Sequence, residues 1–140
     1  MQIPATSALQ IVTAALVDAR AKHFKPMAVV VVDASGHVLA SVRENGASAL
    51  RLDIAHGKAA AAIGMGCNSR TLASRAKDMP VFYGAIAAVA DSKFIPQTGA
   101  VLITDATGIV VGAVGASGGT GDEDEMICIA GIAAVGLTHA

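Results

Sequence analysis

A chain of 140 residues can bury most of its apolar surface in one core and is too short for two ordinary domains, so one domain over residues 1–140 is expected. Ten basic against eleven acidic residues, a net charge of −1, give no electrostatic footprint for nucleic acid or an anionic membrane, and neither partner is expected. Hydrophobic residues at 54% and charged residues at only 15% leave a monomer's surface thinly charged, so a homo-oligomer, a dimer or larger ring with apolar faces in contact, is expected.

No segment reaches the roughly 20 mostly apolar residues of a membrane span. The stretch at 79–90 falls short between Asp78 and Asp91, and that at 126–137 falls short after Glu125. The N-terminal MQIPATSALQIVTAALVDAR lacks a basic leader region and carries Asp18 and Arg20. Cys67 and Cys128 form no CxxC or zinc-type spacing, which favours a cytoplasmic chain with reduced thiols.

In chain order, Thr6 or Ser7 is positioned to cap a first helix whose apolar residues Leu9, Ile11, Val12, Leu16 and Ala19 recur at helical spacing to about His23. MAVVVVDASGHVLASVR then reads as a hairpin: a β-branched run, a tight turn at Asp33 to Gly36, and an alternating return strand. Ser48 is placed to cap a second helix over LRLDIAHGKAAAAIGM, followed by a loop at 66–68. A short helix from Ser69 and a longer one from Pro80 to Ala90 come next, proline suiting a first helical turn. Strand character returns from Gln97.

The most informative feature is a duplication. AVVVVDASGHVLASV at 28–42 and AVLITDATGIVVGAV at 100–114 agree at seven of fifteen positions, the turn Asp and Gly among them. One hairpin is written twice in a single sheet, and each copy feeds a loop and then a helix: RENGAS at 43–48 and GASGGT at 115–120. Related hairpins bring both loops to the rim opposite the turns. Five glycines between 112 and 121 cost backbone entropy, which close approach of a ligand or a neighbouring chain would use. A glycine-rich loop opening a helix commonly grips a phosphate. Here four acids, Asp122 to Glu125, occupy the first helical turn and satisfy its dipole from within.

VVVVDASGHVLASVRENGAS, DIAHGKAAAA and TGIVVGAVGASGGTGDEDE together resemble the GlcG/HbpS-type family of small haem-binding and haem-degrading proteins, related to the C-terminal domain of PduO. The resemblance spans nearly the whole chain. It implies an α/β (α+β) class and a profilin-like fold, an antiparallel sheet flanked by helices, here built from two similar hairpins. It also implies assembly into dimers or rings and haem as cofactor or ligand.

The residues themselves suggest a pocket framed by 43–48, 115–124 and the helix at 50–62. Arg51, Ile54 and Lys58 share one stripe of that helix. Arg43 leaves the first hairpin where a planar guanidinium suits a haem propionate or a small acid, with Asn45, Gly46, Ser117, Gly118 and Gly119 completing the binding set. An equal alternative pairs Arg43 and Arg51 with the acids at 122–125. Among the histidines, His56 is the first choice as iron ligand, three residues beyond Asp53. His37 follows the hairpin turn at the far end of the sheet, His23 suits the C-terminal dipole of the first helix, and His139 belongs to a loose chain end. Met65 and Met79 are weaker axial candidates. Ser117 lies in a G-x-S-x-G look-alike without a triad around it. Two further readings stand beside haem. In one, a lyase or isomerase acts on a small carboxylic acid, aromatic ones included, held by Arg43 or Lys58 while His56 or Glu44 moves a proton. In the other, the chain is an accessory structural oligomer.

Overall fold

The computed structural model describes residues 1–140. Helix α1 (Ala5–Ala21) starts directly after Pro4 and buries Ala8, Ile11, Val12, Ala15 and Ala19 along one stripe. This start corrects the expected caps. Thr6 and Ser7 fall inside the first turn, because Pro4 is already extended and its carbonyl accepts the Ala8 amide at 3.0 Å. Strands β1 (Ala28–Asp33) and β2 (Val38–Arg43) form the first hairpin, and β3 (Ala100–Thr104) and β4 (Val110–Ser117) form the second. The antiparallel sheet runs β2-β1-β4-β3 and ends in β5 (Thr138–His139), a two-residue strand for which the sequence carries no local pattern.

The two hairpins match in register. Ala28 pairs with Arg43 and Ala100 with Gly115, and each hairpin has its irregularity at the same place, between Val31 and Val32 and between Ile103 and Thr104. Turn chemistry repeats as well. Asp33 Oδ1 accepts the Ser35 and His37 amides at 2.9 and 3.0 Å, and Asp105 Oδ1 accepts those of Thr107 and Ile109 at 2.9 and 3.1 Å. Strand order makes the second copy a translation of the first by two strands, so both hairpins point the same way.

Helices cover both faces. Val29, Val31, Val101, Ile103, Val114 and Ala116 pack against α1 and α5 (Gly121–Ala134). Ala28, Val30, Val32, Leu102 and Ala113 pack against Ala55, Ala59 and Ala62 of α2 (Arg51–Met65). Burial on both sides is why the first strand reads as an unbroken apolar run. Ser48 does not cap α2 with its side chain: the helix begins after Leu50, and Ser48 contributes only its carbonyl, to the Arg51 amide at 3.0 Å. Helices α3 (Ser69–Asp78) and α4 (Pro80–Val89) follow on the α2 side, where Leu72, Tyr83 and Phe94 build a small satellite core with Ala61.

Glycine-rich β4 serves this packing. A side chain at Gly115 would strike the Ala55 carbonyl of α2, and one at Gly118, with φ +148°, would strike the Pro26 carbonyl. At Gly112, Gly115 and Gly118 the expected close approach of a ligand or a neighbouring chain is corrected: the backbone that meets them is the chain's own, whereas Gly119 and Gly121 lie on the cleft described below. No helix is long and apolar enough to cross a membrane.

Candidate functional site

Arg43 and Ser117 both pair with Ala28, one on each side of β1, so the two outgoing loops leave the same rim of the sheet. They do not share a cavity there. Pro26 and Met27 run between them: Glu44 donates its amide to the Met27 carbonyl at 2.9 Å, Gly46 lies against the Pro26 ring, and Gly118 lies against the Pro26 carbonyl. The first loop is instead tied to itself and to α1. Arg43 donates to the Ala47 carbonyl at 2.6 Å, and Glu44 accepts the Met27 amide at 2.8 Å while pairing with Arg20 at 3.1 Å. Asn45 and Gly46 are exposed.

The cleft at this rim forms further along, between α2, the segment 95–98 and the start of α5, with a volume of about 460 Å³. Of the residues expected in the site it brings together Arg51, Lys58, Ser117 and Gly119, with Ile54 on the same helical stripe. Arg43, Glu44, Asn45, Gly46, His56 and Gly118 lie outside it. Its remaining walls are Ile95, Gln97, Thr98, Thr120, Gly121, Asp122 and Asp124. Most of the lining is polar, and none of it is His, Cys, Met or Tyr, the usual haem-iron ligands.

The floor of the cleft is a buried ion pair. Lys58 donates to Asp124 Oδ2 at 2.9 Å and to the Ala116 carbonyl at 3.1 Å, and the two side chains are 6% and 2% exposed. Gly119 gives its amide to Asp124 Oδ1 at 3.0 Å, so both carboxylate oxygens have partners. Burial pushes the Asp124 carboxyl above the ordinary range, against the opposing pull of Lys58 and the Gly119 amide. Gly99, at φ +134°, leaves the space that the Lys58 ammonium fills. Above the pair, Arg51 donates to Ser117 Oγ at 3.2 Å and has no carboxylate within 4 Å.

Each of the four acids of α5 therefore has a local task. Thr120 and Glu123 make a reciprocal capping box, and Asp124 takes Lys58. Asp122 and Glu125 pair with Arg70 of α3. The expected partners, Arg43 and Arg51, are corrected: both stay with oxygen acceptors nearer their own strand and helix, whereas Arg70 reaches the exposed side of α5.

A second, apolar hollow of about 340 Å³ lies between the C-terminal half of α2 and α4, lined by Ala60, Gly64, Met65, Phe82, Ile86, Val89, Ala90, Phe94 and the lone charge Lys93. His56 is half-buried and precedes Ala60 by one turn on the same side of α2, away from the cleft stripe. No group of three or more His, Cys, Asp or Glu residues is placed to hold a metal ion. His37 is exposed beside the first turn, Met79 is exposed at the start of α4, and His139 pairs with Ile103 in the sheet.

Residues 3–133 match the HbpS-like family of haem-degrading proteins. Among solved structures, a complex of PduOC with haem aligns over all of both chains at 26% identity and a TM-score of 0.87. A double mutant of HbpS from Streptomyces reticuli aligns at 27% identity over 95% of this chain and 86% of its own, with a TM-score of 0.81. The Klebsiella pneumoniae protein ORFY aligns at 25% identity over 97% and 92%, with a TM-score of 0.85. No curated protein sequence matches the chain at a significant level.

Proposed function

The chain belongs to the HbpS-like family of haem-degrading proteins, and from that premise we propose that it binds haem in the apolar hollow between α2 and α4. The observation that carries this reading is the donor chemistry of the hollow. Apolar walls from Phe82, Ile86 and Phe94 suit a macrocycle, Lys93 suits a propionate, and Met65 in the lining carries an iron donor, with His56 one helical turn before Ala60 and outside the lining. The polar cleft on the other side of α2 has only Ile54 and Ile95 as apolar walls and no His, Cys, Met or Tyr in its lining. When bound, haem supplies iron-centred redox chemistry. In this reading His56 holds the iron, Phe82 and Phe94 exclude water from the ring, and Lys93 fixes one carboxylate.

Self-association completes the picture. Val81, Phe82 and Val89 of α4 are 86%, 51% and 89% exposed, an apolar surface beside the hollow that supports its closure by a second copy of the chain. Both cysteines are free, consistent with a reducing cytoplasmic compartment.

Titration with haemin tests the proposal. Saturable uptake with a Soret band is expected, the band being lost in His56→Ala and the affinity falling at least tenfold in Phe82→Glu, which places a charge in the wall. Absence of the band in the unaltered protein, or indifference to both substitutions, refutes it.

A further inference from the structure

The cleft on the opposite side of α2 has chemistry that haem does not use. Of its four charged side chains, Lys58 and Asp124 pair on the floor and Asp122 shares Arg70 with Glu125 from outside, which leaves Arg51 as the one cation of the cleft that no carboxylate contacts. One guanidinium nitrogen is spent on Ser117 Oγ, and most of the five N–H donors stay uncommitted. Lys58, though 6% exposed, has a third ammonium proton beyond those given to Asp124 and the Ala116 carbonyl. Around these donors stand the hydroxyls of Thr98 and Thr120 and the amide of Gln97, with Ile54 and Ile95 as the only apolar walls. At about 460 Å³ the cleft is on the scale of small-molecule sites.

We propose that this cleft binds a small monocarboxylate bearing hydrogen-bonding substituents, its carboxylate on Arg51 and its polar groups on Thr98 and Gln97. A single free cation selects one negative charge. A second carboxylate would approach Asp122 or the buried Asp124, and like charges at that range repel. Hydroxyl and amide walls favour a hydroxy or oxo acid over an alkyl one, since an alkyl chain leaves those groups desolvated and unpaired.

The test uses the haem-free protein, so that its outcome does not depend on haem binding. Lactate, succinate and uncharged lactamide are titrated at constant ionic strength by calorimetry, with amide shifts followed in NMR spectra of the unaltered chain. Saturable lactate binding is expected, with succinate at least tenfold weaker and lactamide inert. The Gly119, Gly121 and Asp122 amides shift while those of α4 stay still. Arg51→Met weakens lactate at least tenfold, the scale of a lost charge-assisted bond. The proposal falls if lactate produces no shifts in the cleft, if succinate binds as tightly, or if a folded Arg51→Met variant binds lactate unchanged.

Discussion

Replacing Lys58 with methionine isolates the energetics of the cleft floor. The substitution keeps much of the side chain's length and removes the ammonium that lies 2.9 Å from Asp124, itself 2% exposed. Asp124 then retains only the Gly119 amide at 3.0 Å. Stranding one member of a buried pair costs about 3–5 kcal/mol, a large share of the roughly 5–15 kcal/mol that holds a typical domain together. Protonation limits the damage and fixes its pH dependence. Burial already holds the Asp124 carboxyl above its unfolded value, and losing Lys58 raises it further. The folded variant thus binds a proton that the unfolded chain has released. Its stability falls as pH rises from about 4, by up to about 1.4 kcal/mol per unit, until the folded group ionises. Urea unfolding at pH 5, 6, 7 and 8, at one protein concentration, should show a deficit that widens towards neutrality. Adding Asp124→Asn removes the stranded charge and should recover part of the loss. A single variant within about 1 kcal/mol of the parent at pH 7, with a flat pH profile, contradicts the reasoning, since surface pairs behave that way and buried ones do not.

Two further outcomes follow from the packing. Gly115→Ala places a methyl group against the Ala55 carbonyl and within 3.2 Å of the Ala59 side chain, so α2 must lift from the sheet. Overpacking of this kind costs about 1–3 kcal/mol, read as a lower urea midpoint, and it should lower cleft affinity as well because Arg51 and Lys58 move with the helix. Cys128 is fully buried, and burial pushes its thiol far up, whereas Cys67 is half-buried with the Arg75 guanidinium 3.9 Å from its sulfur. A thiol reagent should therefore modify one cysteine in the native protein and both only after unfolding.

The sheet was legible because its evidence is local and repeated. Apolar outgoing strands and an Asp acceptor three residues before Gly recur in both hairpins, and the same turn bonds form in each, whereas the alternation expected of the first return strand does not appear in its burial. The stripe Arg51, Ile54, Lys58 needed only helical spacing, and all three residues face the cleft. What the local pattern could not reveal is which segment lies across the rim. Pro26 and Met27 separate the two loops through contacts to Glu44, Gly46 and Gly118, and nothing in residues 43–48 announces them. Other signals lie in the sequence. Thr120 with Glu123 is a capping-box spacing that places the start of α5, and Gly57 interrupts an alanine-rich helix where Ile95 packs against it. That close approach brings segment 95–98 to the cleft.

The duplication also explains why one cleft forms rather than two. Translation by two strands gives both hairpins the same direction, yet it puts β2 at the edge of the sheet and β4 in its interior. A loop leaving an edge strand has a helical layer on few sides and closes on itself, as Arg43 does with Ala47. A loop leaving β4 emerges between α2 on one face and α5 on the other, where Lys58 can span the rim to Asp124. Similar hairpins thus acquire different roles from their position in the sheet. The acids that follow the second one hold the two helical layers together, and the same clamp leaves Arg51 above it bonded to Ser117 but with no carboxylate of its own.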